Sequence, residues 1–154
     1  KMNSLVEREA IEALYRASQA GVQVDLVVRG MCALRPGLPG VSERITVRSI
    51  VVRFLEHSRV WYFANGGEAE VYCSSADFME RNFFRRVEVA FPLLEASHRA
   101  RVLSDLELAL ADDLQAWQLG SDGRYTRIAP RAGAPVSSQG TLLERYAAGA
   151  STTS

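Results

Sequence analysis

A chain of 154 residues is about one domain long, and 47% hydrophobic residues beside 23% charged ones is ordinary for a globular fold. Eighteen basic residues balance eighteen acidic ones, so no net field favours nucleic acid and any anion site must be built locally from placed arginines. Short apolar runs broken by Arg, Asp or Glu exclude a spanning helix, and Cys32 and Cys73 have neither zinc spacing nor a disulfide framework, pointing to a reducing cytoplasmic compartment.

Lys1 opens the chain in place of Met and no signal peptide follows, so the expectation is a fragment of a longer chain. Asn3 or Ser4 can cap a first helix in which Leu5, Ile11, Leu14 and Ala17 keep helical spacing, and Gly21 ends it. Val22 to Val28 carries Val and Leu on both phases, as a buried parallel strand does. Gly30 to Arg44, with Pro36, Gly37, Pro39 and Gly40, predicts a long loop of the kind that carries function. A short strand at Ile45 to Arg48 leads to Ser49, which can cap a helix of about two turns through Glu56.

Val60 to Phe63 reads as a strand, Asn65-Gly66-Gly67 as a turn and Glu70 to Cys73 as a further strand. Arg86 to Phe91 is another, closed by Pro92. Leu93 to Leu114 is the longest helix, striped by Leu94, Val102, Leu106 and Leu110, and Ala116 to Ile128 is a hairpin around Ser121-Asp122-Gly123. Beyond Pro130 the Gly, Ala, Ser and Thr content cannot bury enough apolar surface to offset ordering entropy. Residues 131–154 therefore read as a mostly flexible tail, with at most a helical turn at Leu142 to Tyr146. Interleaved strands and helices over 1–130 predict an α/β domain with a mixed, largely parallel central sheet flanked by helices.

Two histidines limit the acid–base chemistry. His98, between Ser97 and Arg99, falls on the polar face of the long helix and reads as solvated. His57 ends the expected short helix just before an apolar strand, where α/β folds place ligands. Arg53 shares its helical face and Arg59 stands at the start of the strand. The plain alternative is a helix C-terminal histidine among surface arginines. Downstream come Ser74-Ser75-Ala76-Asp77, Arg81-Asn82 and Arg85-Arg86-Val87-Glu88-Val89. This layout resembles the phospholipase D-like half-site, built on His-x-Lys, a following Asp and a Gly-Ser-x-Asn turn. Here Arg59 replaces the lysine, Ala64 stands where the Asp would, and Ser74 replaces the glycine.

Several segments carry a more specific likeness: Lys1-Met2-Asn3-Ser4-Leu5-Val6, Val28-Arg29-Gly30-Met31-Cys32, Leu34-Arg35-Pro36-Gly37, Ser49-Ile50-Val51, Arg53-Phe54-Leu55-Glu56-His57-Ser58-Arg59, Asn65-Gly66-Gly67 and Ser74-Ser75-Ala76-Asp77-Phe78-Met79. In order, over residues 1 to about 130, they resemble the bacterial polyphosphate kinase family. The resemblance implies the C-terminal phospholipase D-like catalytic domain of an enzyme that reversibly transfers the terminal phosphate of ATP to polyphosphate. The phosphohistidine of that reaction lies in a preceding domain, as do the groups associated with Mg²⁺, so this chain alone is expected to be inactive.

On matching positions, the resemblance assigns Arg29 and His57 to phosphate and ATP contact, with His57 as proton donor. Arg suits the first role by its planar fork of donors and permanent charge. His suits the second because it titrates near neutrality. Lys1, Asn3, Arg53, Arg59, Ser75 and Asp77 form a second tier, in which a structural role is the alternative. Arg35, Arg44 and Arg48 can line a cationic path for the polymer or form a solvated rim. The implied partners are ATP or ADP, polyphosphate and the kinase's remaining domains in a homo-oligomeric parent, cytoplasmic or peripheral at the inner membrane. Two other readings are a phospholipase D-like phosphodiesterase half-site that dimerises, and a non-catalytic anion-binding module.

Overall fold

The computed structural model describes residues 1–150. Helix α1 spans Arg8–Gln19, and its cap is Glu7, whose carboxylate accepts the N–H of Glu9 at 3.0 Å and of Ala10 at 2.6 Å. Asn3 and Ser4, expected as caps, lie upstream in an extended segment whose backbone is committed to pairing with other parts of the chain. Gly21, at φ +91°, turns the chain out of the helix through the left-handed region, as expected of a glycine there.

Strand β1 (Val24–Val27) pairs in parallel with β2 (Ile45–Ile50), matching Val24 to Ile45 and Val27 to Arg48. Side chains of β1 and its extension alternate between two cores. Leu26 and Val28 pack with Ile11 of α1, Ile45 and Val47, whereas Val27 packs on the other face with Ile50, Ala109 and Ala116. A strand covered on both faces cannot show polar alternation, which is why Val and Leu occupy both phases. Each such buried side chain contributes roughly 1.5–3 kcal/mol over its exposed state.

Strands β3 (Val60–Phe63), β4 (Glu70–Ser74) and β5 (Ala90–Pro92) form an antiparallel sheet in that order, with a tight turn at Asn65–Gly67. Strands β6 (Ala116–Leu119) and β7 (Tyr125–Arg127) form the expected hairpin, which adds antiparallel to β2 and gives the order β1-β2-β6-β7. The two sheets are joined by residues 1–5. Met2 bridges in parallel to Val28, Leu5 bridges to both Cys32 and Phe78, and the N–H of Val60 donates to the Lys1 carbonyl at 2.9 Å. The arrangement is mixed, with its parallel pairings at the centre and antiparallel pairs on the flanks.

Four elements differ from expectation. No helix follows Ser49: β2 continues to Ile50, and Val51 to Arg59 is irregular. Ser49 is buried in the strand opposite Trp117, and its hydroxyl donates to the Arg29 carbonyl at 2.8 Å instead of capping. A short helix α2 (Glu80–Phe84) follows the Ser turn, and β5 is confined to Ala90–Pro92 rather than starting at Arg86. Helix α3 (Ala96–Ala111) is shorter than the expected Leu93 to Leu114, and Leu94 lies outside it, 79% exposed.

In the stretch for which composition suggests flexibility, helix α4 covers Ser138–Ala150, with Ser138 and Gln139 buried. Asp112, at the end of α3, is fully buried and accepts both the N–H and the hydroxyl of Ser138 at 2.7 Å. Asp113 accepts the N–H of Val136 at 2.7 Å and of Arg131 at 3.1 Å. Residues 151–154, the end of the expected tail, lie outside the described residues.

Candidate functional site

The seam made by residues 1–5 brings together most of the candidate residues. Asp77, just after β4, turns one carboxylate oxygen to the backbone N–H of Asn3 at 2.6 Å and of Ser4 at 3.2 Å. Its other oxygen accepts from Arg59 Nη2 at 2.9 Å, an ion pair with side chains only 11% and 10% exposed. Burial alone would raise the Asp77 pKa, but the Arg59 guanidinium and the Asn3 and Ser4 amides outweigh it and hold the carboxyl below its ordinary value. Asn82 of α2 braces the turn by donating to the Asp77 carbonyl at 3.0 Å.

Arg59 in turn holds His57. Its Nη1 donates to the His57 carbonyl at 3.1 Å and lies 3.0 Å from Nδ1, while Nη2 lies 3.2 Å from Nε2. The imidazole is exposed, so its orientation comes from the guanidinium and not from packing. On the other side of the seam, Arg29 follows β1 and its Nε donates to the Asn3 side-chain oxygen at 3.0 Å. Among the described residues Nε is the only Arg29 nitrogen of the guanidinium given a protein partner, which leaves the terminal donors for a ligand. Arg29, Asn3, Asp77, Arg59 and His57 are thus linked in series, Asn3 joining Arg29 through its side-chain oxygen and Asp77 through its backbone N–H. A small cleft beside this series is lined by Lys1, Asn3, Arg29, Glu56 and Ser58.

The other candidates divide. Lys1 lines that cleft, with its ammonium paired to Glu56. Arg53 is exposed and its guanidinium sits 5.5 Å over the Phe54 ring; without a helix here it shares no helical face with His57. Ser75 lies off this series, donating to Glu88 and accepting the N–H of Val89 at 3.0 Å, so it ties the end of β4 to the approach to β5. Arg48 does not line an open path: its guanidinium reaches the carbonyls of Leu110 and Asp112 at the end of α3, and burial lowers its pKa. Arg35 and Arg44 are exposed, and His98 is exposed on α3, as expected.

Gln139 escaped notice in the sequence. It is buried at the start of α4 and its side chain contacts Phe54 and Glu56, on the loop that carries His57. Nothing in its neighbours, Ser138 and Gly140, distinguishes it from a polar tail residue. No group of three or more His, Cys, Asp or Glu among the described residues could hold a metal ion. Asp77 is committed to Arg59 and backbone donors, and Glu56 to Lys1 and Gln139, so this donor-rich arrangement suits an anion and does not fit Mg²⁺. No helix among the described residues is long and apolar enough to cross a membrane.

Fold and site together define a mixed α/β domain that presents arginine and histidine on one polar chain beside a cleft. Comparison with known proteins narrows this class. The family described as polyphosphate kinase C-terminal domain 2 matches residues 1–139, and the chain belongs to that family. It is 58% identical over 146 residues to a polyphosphate kinase of Xylella fastidiosa, covering 94% of this chain and 21% of that protein. It is 62% identical over 128 residues to a polyphosphate kinase of Burkholderia cenocepacia, covering 82% of this chain and 19% of the relative. The crystal structure of polyphosphate kinase from Porphyromonas gingivalis superposes with a TM-score of 0.90 at 41% identity, over 99% of this chain and 23% of that one. The chain therefore spans about a fifth of the curated relatives it matches.

Proposed function

We propose that this domain forms one side of the phosphate site of a polyphosphate kinase, which reversibly passes the terminal phosphate of ATP to polyphosphate through a phosphohistidine on a preceding domain. The observation that carries the reading is the polar chain from Arg29 to His57 through Asn3, Asp77 and Arg59. In the step toward phosphohistidine, a histidine nitrogen outside this chain bonds to the terminal phosphorus as the bond from phosphorus to the ADP oxygen breaks. Arg29 supports that step by offering its free terminal donors to phosphate oxygens, where charge spreads in the transition state. His57 supplies a hydrogen bond or proton at the departing or bridging oxygen once one ring nitrogen turns from the Arg59 guanidinium to the ligand. Mg²⁺ would screen nucleotide charge, and none of the residues described here is assigned to it. Half of such a site holds no nucleophile in line, so the isolated chain binds without turnover. A cytoplasmic, homo-oligomeric parent, peripheral at the inner membrane where it associates with lipid, belongs to the same reading.

The test is calorimetry of this chain with ATP and with inorganic tripolyphosphate at two salt concentrations, beside Arg29→Ala and His57→Ala. Salt-sensitive binding that either substitution weakens by roughly tenfold or more is the expected result. Equal binding by all three chains would remove the site assignment. Hydrolysis of a generic phosphodiester by the chain, lost in His57→Ala, would instead favour a phosphodiesterase.

A further inference from the structure

Residues 51 to 59 connect β2 to β3 without regular structure, yet they carry Glu56, His57 and Arg59. An irregular segment has no ladder to satisfy its backbone, so its order depends on whatever else meets its N–H and C=O groups. At Phe54 both are met by one side chain. The Phe54 N–H donates to Gln139 Oε1 at 3.1 Å, and Gln139 Nε2 donates to the Phe54 carbonyl at 2.9 Å. The amide thus imitates a neighbouring strand for a single residue.

The same Nε2 also donates to Glu56 Oε1 at 3.0 Å, and the other oxygen of Glu56 pairs with Lys1 at the cleft. Gln139 is 8% exposed, and the start of its helix is fastened by the buried carboxylate of Asp112 through Ser138. A fixed helix end therefore grips the loop at Phe54 and Glu56, immediately before His57. Only an amide of this length offers an acceptor and two donors in these directions. A carboxylate at 139 would lose both donors and face Glu56 with like charge.

We propose that Gln139 is a positioning residue that fixes the 54–56 segment and thereby sets where His57 stands relative to Arg29. Its relevance to phosphate rests on the function proposed above, whereas its grip on the loop does not, and the two are separated by measurement. Gln139→Ala and Gln139→Glu are made in this chain and compared by amide hydrogen exchange and by NMR of the histidine rings. The chain holds two histidines, and His98 on α3 is remote in sequence and exposed, so it serves as internal reference. Exchange in β1 and β2 reports that each variant is folded.

The expected result is exchange at Phe54 roughly tenfold faster in Gln139→Ala, which removes the acceptor, and a smaller change in Gln139→Glu, which keeps an acceptor for the Phe54 N–H while losing the donors to the Phe54 carbonyl and Glu56. His57 ring resonances shift while those of His98 stay in place. Unchanged Phe54 exchange and unchanged His57 resonances in both folded variants would overturn the proposal, whatever the ligand data say. Tripolyphosphate titrations of the same chains, with His57→Ala beside them, carry the functional arm. Weaker binding in Gln139→Ala, accompanied by loss in His57→Ala, links the grip to phosphate. If His57→Ala binds as the unsubstituted chain does, the phosphate reading fails, while exchange at Phe54 still decides the role of Gln139.

Discussion

Arg59 and Asp77, eighteen residues apart, form an ion pair at 2.9 Å, and the same carboxylate closes onto the backbone of Asn3 and Ser4. One buried charge pair therefore fastens three separate segments: the seam, the start of β3 and the turn after β4. Removing one partner strands the other in a poorly hydrated position, which is more damaging than the loss of an exposed salt bridge.

Asp77→Asn is expected to destabilise the chain by about 3 kcal/mol, read by urea unfolding at neutral pH. The carboxyl is held below its ordinary value in the folded state, so its stabilising contribution is present above about pH 4 and is lost as pH falls through the folded pKa. Stability of the unsubstituted chain should consequently fall more steeply on acidification below pH ~4 than that of Asp77→Asn. Part of the slope will persist in the variant. Asp113, lowered first by the Val136 amide, acts with the same sign.

Arg59 and His57 should behave as one unit toward an anionic ligand. In a double-mutant cycle with tripolyphosphate, Arg59→Ala and His57→Ala are expected to be non-additive by at least ~0.5 kcal/mol. Additive losses would mean that the guanidinium does not orient the ring.

Arg48 closes the end of α3, its guanidinium turned to the carbonyls of Leu110 and Asp112. Arg48→Met should cost about 1–2 kcal/mol of stability, since carbonyls at the helix end lose a charged donor. Tripolyphosphate affinity should stay within twofold. A marked loss of affinity in a chain of full stability would return Arg48 to the binding surface.

The boundary of α1 is testable by its cap. Glu7→Ala should lower stability by about 1 kcal/mol, whereas Ser4→Ala should change it little, because Ser4 contributes to this region through its backbone N–H and carbonyl. Thermal unfolding of both variants decides between the two boundaries.

Where local pattern determines structure, the sequence was readable. The doubly covered β1, the hairpin at Ser121-Asp122-Gly123 and the break at Gly21 each follow from residues within a few positions. No helix forms after Ser49 because the Ser49 hydroxyl goes to the Arg29 carbonyl and the Phe54 backbone is met by Gln139, both partners far away along the chain. Arg29 stands out only through resemblance to a family, whereas His57 is already marked by its place just before an apolar strand. The polar chain between them was not legible, since Asn3 and Asp77 are 74 positions apart and no local signal pairs them. Gln139, 85 positions from Phe54, is the extreme case: a polar residue in a low-complexity stretch, buried only because a distant loop needs its amide.

The seam also bears on the order of assembly. The β3/β4 and β6/β7 hairpins join residues close along the chain and can form with little loop closure, whereas residues 1–5 must find Val28, Val60 and Phe78 before the sheets unite. Contacts that close long loops form late and slow a fold's overall rate. Substitutions in the hairpins should act mainly on early folding steps, while those at the seam, Asp77 among them, should act mainly on the unfolding rate. The residues that hold Arg29 and His57 in one arrangement would then be the last to lock as the chain folds and the first to release as it opens.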